Sequence, residues 1–309
     1  MIRVGTRGSL LATTQAATVR DAIRALGEQA ELVIVNTIGD RVSGPIVEIG
    51  VGVFTSALRD ALLADEIDVA VHSLKDLPTA QDPRFSLVAV PERADPRDVL
   101  VSRSGSRLAD LPPGSAVGTG APRRSAQLRL ARADLEIQPI RGNLDSRMRK
   151  VATAECDAIV VARAGLLRLG REQEATEILD PAVMLPAPGQ GALAVECRSE
   201  APVSLTEVLG RLDHEHSRVT SAAERAVLAE LSAGCSGPVG ALARIDAQTL
   251  RVEAAVCALD GSRQIREAQS AQLLNESHAA ALGRRVAESL RSMGAMELVG
   301  AVQDTPGLS

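Results

Sequence analysis

An α/β protein is what this 309-residue sequence predicts: two α/β lobes joined by a hinge, then a small C-terminal α+β domain. Three observations carry that expectation. Short apolar runs alternate with helical patterns through the first half, a second such set follows a proline-rich charged passage, and the pattern changes from about residue 215. Alternation of this kind implies a mostly parallel sheet with helices on both faces.

Taken in order, "IRVGT" (2–6) reads as a strand, "LLATTQAATVRDAIRAL" (10–26) has helical periodicity, and "AELVIVNT" (30–37) is rich in β-formers. "VFTSALRDALLADE" (53–66) is helical again and leads to the buried-strand run "IDVAVHSL" (67–74). The passage "VPERADPRD" (90–98) reads as a crossing between lobes. Beyond it come the strand "SAVGT" (115–119), a helix from about Arg123, the strand "LEIQPI" (135–140), a helix near 145–154 and the strand run "DAIVVARAG" (157–165). "MLPAPGQGALAVECR" (184–198) starts as a connection and ends as a strand, which predicts that the chain crosses back to complete the first sheet. The expected domains are therefore 1–92 with 190–212, 97–186, and 215–309. Two crossings make a hinge with a cleft, where open α/β folds hold ligands. From 217 a helix ends at glycine, three strands follow with turns between them, and a last amphipathic helix spans about 276–293.

Composition narrows the function classes. Aromatic residues amount to 1%, Phe54 and Phe85 alone, so base stacking on nucleic acid has almost nothing to work with. The net charge of −5 also argues against a general nucleic-acid binder, while leaving room for a local basic cleft. No stretch approaches the roughly 20 apolar residues of a membrane span, and the N-terminus lacks a signal-like run. The expectation is a cytoplasmic protein. The four cysteines include no C-x-x-C pair, which disfavours a zinc site or disulfide framework. No metal site is expected; "DHEHS" (213–217) is too weak a pair.

The residues with chemical potential cluster at strand ends. In "VHSLKDLPT" (71–79), Lys75 is one of only two lysines, and Asp76 stands beside it where a strand ends. "VGTGAPRRSAQL" (117–128) runs through a glycine-rich turn and a proline into a helix that begins with Arg123 and Arg124. A helix start attracts anions and disfavours cations, so something negative has to compensate this pair. Arg7, Arg141, Arg147 and Arg168 sit at further strand-to-helix junctions. Together they predict a site for a ligand rich in carboxylates or phosphates. In "LSAGCSGPVG" (231–240) small residues flank Cys235, and a nucleophile or an attachment point both remain open.

With these motifs in hand, the chain resembles the porphobilinogen deaminase (hydroxymethylbilane synthase) family. The matching stretches are "GTRGSLLATTQA", "IDVAVHSLKDLPT", "ERADPRD", "VGTGAPRR", "IRGNLDSR", "DAIVVARAGLLRLG", "LPAPGQGALAVECR", "TSAAERAVLAEL" and "AGCSGPVG", in family order over almost the whole chain. The resemblance implies two lobes like type-2 periplasmic-binding proteins and a third domain with a three-stranded antiparallel sheet. It also implies a dipyrromethane cofactor joined by a thioether to Cys235, and porphobilinogen as substrate. Asp76 matches the catalytic position. Arg7, Lys75, Arg123, Arg124, Arg141, Arg147 and Arg168 match positions that bind acetate and propionate side chains, with Ser9, Ser73, Thr119, Gln190 and Phe54 in support. A monomer that hands its product to uroporphyrinogen-III synthase is implied as well. Two departures stand out: Val51 replaces a usual lysine and Ala121 a usual serine. A non-catalytic, two-lobed anion-binding protein is the alternative.

Overall fold

The computed structural model describes residues 1–35, 53–232, 237–273 and 275–300. Cys235 and Val51 lie outside the described residues. The chain divides into two compact units, residues 1–93 with 192–219, and residues 94–191 with the rest of the described C-terminal part.

In the first unit, β1 (Ile2–Thr6), β2 (Ala30–Ile34), β3 (Val69–Ser73), β4 (Phe85–Ala89) and β10 (Leu193–Arg198) form one sheet in the order β2-β1-β3-β10-β4. The segment after 184 does return to this sheet, entering between β3 and β4. Strand alternation divides its side chains between two helices. Val4, Val69, Val71, Leu193 and Val195 pack with Ala16, Val19 and Ile23 of α1 (Leu10–Ala25). Ala70 and Phe85 pack with Leu58, Ala61 and Leu62 of α2 (Val53–Leu63).

The second unit repeats the plan. β5 (Asp98–Ser102), β6 (Ala116–Thr119), β7 (Glu136–Pro139), β8 (Ala158–Ala162) and β9 (Glu177–Ile178) form a sheet ordered β7-β6-β8-β5-β9. Leu100, Val117, Ala158 and Val160 face Leu128 of α3 (Pro122–Ala131). Val99, Val101, Ile159 and Val161 face Met148 and Val151 of α4 (Leu144–Ala152) and Leu166 of α5 (Arg163–Arg168). A separate antiparallel sheet holds β11 (Val239–Asp246), β12 (Thr249–Cys257) and β13 (Gln264–Gln272). Beyond α6 (Val203–Gly210), helix α7 (Glu215–Glu230) leads toward this sheet, and α8 (Glu276–Ser292) packs on β12 and β13. Gly283 lets α8 approach α7, because a Cβ there would strike the Ala223 carbonyl.

Two expectations change. The large sheets are half antiparallel rather than mostly parallel, since β10 runs against β3 and β4 while β5 runs against β8 and β9. Neither β5 nor β10 is delivered by a strand–helix–strand crossover, the connection that enforces parallel pairing. The run 157–165 is not one strand: it ends at Ala162, and Arg163 opens α5. No Gly or Pro marks that switch of period.

Candidate active site

The first unit places its candidate residues at the ends of β1 and β3. Arg7 follows β1, and Ser9 caps α1, its hydroxyl accepting from the Ala12 backbone N–H. β3 runs into a 3-10 turn of Leu74, Lys75 and Asp76. That turn is anchored from below: the Leu74 N–H donates to the Ala192 carbonyl at 3.0 Å, and Leu74 and Leu77 are buried with Val90, Ala192 and Ala194. Lys75 is half-buried and Asp76 is exposed. One residue earlier, Ser73 exchanges hydrogen bonds with the buried Gln15 amide of α1, at 3.2 and 3.3 Å. Phe54 falls in the first turn of α2, its side chain outside the described set.

The second unit brings three candidates onto one carboxylate. Asp98, the first residue of β5, is fully buried. Arg124 Nε and Nη2 donate to Asp98 Oδ1 at 3.1 and 2.8 Å, and Arg123 Nη1 lies 2.8 Å from Oδ2. Gln190 Nε2 donates to Oδ1 at 2.8 Å and to the Pro96 carbonyl at 2.7 Å, while its Oε1 accepts from Arg124. Arg123 also donates to the Leu185 carbonyl, and both arginines are 4% exposed. The negative charge that the basic helix start demanded is thus supplied from within the chain. Burial pushes the Asp98 carboxyl up, but the Arg123 and Arg124 charges outweigh it and hold it at about 2. Burial, with Arg124 adding to it, pushes the Arg123 guanidinium down despite Asp98. These directions agree once the charges are counted: two guanidiniums share one carboxylate, so the cluster keeps a net positive charge.

The other cations differ in how they are held. Arg163 and Arg97 both close on Asp95. Arg168, one turn beyond Arg163, donates Nη2 to the Gly191 carbonyl at 2.6 Å. Burial pushes its guanidinium down to about 10, with no acidic partner among the described residues to offset it. Gly191 holds φ +88, where a Cβ would meet the Ala94 carbonyl, so this bend needs glycine. Arg141 is exposed, and Arg147 is half-buried with Nε donating to the Gly142 carbonyl at 2.9 Å. Asn143 caps α4 through its side-chain oxygen on the Ser146 N–H. Thr119 is buried at the end of β6, 3.4 Å from the Ala121 N–H that it accepts. Ala121 occupies the N-cap of α3 with no side-chain cap, and Pro122 opens the helix.

Asp98 and Gln15 escaped the residue-by-residue reading. A signal existed for Asp98: an acid heading an otherwise apolar strand, "DVLVS", is a buried charge that needs partners. Among the described residues, no group of three or more His, Cys, Asp or Glu could hold a metal ion.

Comparison with known proteins divides the chain differently, with one match over both five-stranded sheets and another over the C-terminal part. The family description "Porphobilinogen deaminase, dipyromethane cofactor binding domain" matches residues 2–205, and "Porphobilinogen deaminase, C-terminal domain" matches 218–292. A protein of Mycobacteroides abscessus named porphobilinogen deaminase is 55% identical over 97% of this chain and 100% of its own length. One from Mycobacterium marinum with the same name is 54% identical over 99% of each. Among solved structures, a periplasmic substrate-binding protein of an ABC transporter from Coxiella burnetii covers 69% of this chain and 92% of its own, at 13% identity and a TM-score of 0.44. On the family match and the full-length relatives, the chain belongs to the porphobilinogen deaminase family.

Proposed function

We propose that the chain condenses four porphobilinogen molecules head to tail, releasing ammonia each time, and then frees the product by hydrolysis as hydroxymethylbilane. Family membership supports this transferase reaction of tetrapyrrole biosynthesis, and the cofactor-binding domain supports a dipyrromethane group. That group supplies the pyrrole carbon from which the product is extended. Two linked pyrroles carry acetate and propionate side chains, so the residues suited to hold it are cations with charge to spare. The observation that carries the reading is that surplus: Asp98 offsets only one of its two guanidiniums, and Arg168 has no acidic partner among the described residues.

The roles follow from charge. Loss of ammonia from porphobilinogen leaves a cation on the substrate, and the Asp76 carboxylate stabilises it. At an effective dielectric near 20 and about 4 Å, one such charge is worth on the order of 4 kcal/mol. Arg7, Lys75, Arg141, Arg147 and Arg168 bind substrate and cofactor carboxylates, and Arg123 and Arg124 add the net charge of their cluster. Ser9, Ser73, Thr119, Gln190 and Phe54 support them. Cys235 is the attachment point; it bonds the dipyrromethane once and keeps it. Val51 and Ala121 remove two polar contacts and weaken binding without abolishing turnover. The protein acts as a cytoplasmic monomer, passes its product to uroporphyrinogen-III synthase, and binds neither nucleic acid nor membrane. Its expected domains remain 1–92 with 190–212, 97–186 and 215–309. A non-catalytic anion-binding protein is disfavoured by family membership, and it would have no use for the Cys235 thiol.

Intact-protein mass spectrometry with Ehrlich's reagent tests the cofactor claim. A mass excess of two pyrrole units and a coloured adduct, both lost on Cys235→Ser, are expected. A bare polypeptide mass in every active preparation would overturn it.

A further inference from the structure

The α2-facing side of the first unit's sheet, mostly apolar, buries an ionised pair among the described residues. Glu196 on β10 and His72 on β3 each have only 3% of the side chain exposed, and Oε2 and Nε2 are 3.4 Å apart, a close contact in which the buried Nε2 makes no hydrogen bond. From α2, Arg59 grips the same carboxylate with both arms of its guanidinium: Nε donates to Oε2 at 3.0 Å and Nη2 to Oε1 at 2.7 Å. The Arg59 guanidinium also lies 4.9 Å over the Phe85 ring, which fixes its direction. Burial pushes the Glu196 carboxyl up, but His72 and Arg59 outweigh it and leave it below the usual carboxylate range.

A buried ion pair is a poor way to gain stability, because desolvation cancels most of the attraction. Aliphatic residues would fill this layer at least as well. What the pair offers is a fixed geometry, and its location gives that geometry a use. On one flank lies the apolar contact of α2, with Leu58, Leu62 and Phe85. On the other lies the small cluster of Leu74, Leu77, Val90, Ala192 and Ala194, which underlies the Lys75–Asp76 turn. His72 is paired in register with Ala194 and stands four residues before Asp76. The Ser73–Gln15 exchange grips the same strand end from α1.

We propose that Glu196 is a positioning residue for Asp76: through Arg59 it holds α2, by packing on His72 from the paired strand it sets the end of β3, and it thereby fixes the turn that presents the Asp76 carboxylate. This rests on the reading of Asp76 as the charge that stabilises the reacting cation. Glu196 touches no substrate; it acts through the strand.

The test compares Glu196→Gln with the double variant Arg59→Met, Glu196→Met, which replaces the whole pair by apolar side chains and so leaves no unpaired buried charge. Each is assayed as cofactor-loaded enzyme for kcat and KM with porphobilinogen, alongside thermal melting. A displaced carboxylate lowers kcat about tenfold while KM stays within about twofold, because misplacement acts on the chemical step. That loss should appear even where the double variant melts no earlier than the parent. In an Asp76→Glu background, where the carboxylate is already displaced, the double variant should add less than about twofold, the non-additivity of coupled groups. Parental kcat in a folded double variant, or a fully additive loss with Asp76→Glu, would overturn the proposal. Asp76→Ala separates the two readings. If it is inactive while the double variant is fully active, only the role of Glu196 fails. If it turns over normally, the role of Asp76 fails, and the proposal with it.

Discussion

Each unit buries a carboxylate on a strand beside candidate site residues, and the two are balanced differently. Glu196 faces one guanidinium and one imidazole, and Arg59 meets it in a bidentate fork, so its charge is matched one to one. Asp98 faces two guanidiniums and an amide, so its cluster is left with positive charge. A self-balanced pair can only position its neighbours, whereas an unbalanced one also attracts an anion. The contrast separates scaffold from binding surface among residues that look alike in the sequence.

The largest way to break the comparison is to remove Asp98. Asp98→Asn leaves two buried guanidiniums facing no charge and should cost about 3–5 kcal/mol in urea unfolding. A cost below about 1 kcal/mol would mean that Arg123 and Arg124 do not depend on it. Acid tests the same pair without mutation. The Asp98 carboxyl is held at about 2 in the fold against an ordinary 3.8, so its folded pKa is depressed. Its contribution is therefore complete above about pH 5 and is lost as pH falls toward 2, an effect of about 2 kcal/mol. Parental protein should show that loss and Asp98→Asn should lack it; identical acid profiles would contradict the assignment. The smallest effect on stability is expected at Arg168, whose burial no carboxylate among the described residues offsets. Arg168→Gln should leave the urea midpoint nearly unchanged yet raise KM for porphobilinogen about tenfold, as when one partner of a desolvated charge pair is lost. A large drop in stability with unchanged KM would make Arg168 a structural residue.

Much of the fold is legible in local pattern. The runs that became β1, α1, β3 and α8 carry clear periodicity, and Pro122 marks the start of α3. β5 is harder, because "ERADPRD" reads as a turn up to the residue where the strand begins. The site is legible in residue type and not in partner. Arg123 and Arg124 are conspicuous at a helix start, but the acid that holds them is 26 residues from Arg124 and 92 from Gln190. Arg59 and Glu196 are 137 residues apart. Pairings at such distances come from sheet order and register, which local periodicity does not encode. The same limit applies to His72, whose neighbour Glu196 is brought beside it only by the register of β10 on β3.

The most direct test of the account is Asp76→Ala, followed by turnover and intact mass on one preparation. The account predicts that the dipyrromethane mass excess is retained, since the cations and Cys235 are untouched, while turnover falls by about 100-fold or more. Near-normal turnover with the same mass excess would contradict it, because the charge that stabilises the reacting cation would then have to lie elsewhere.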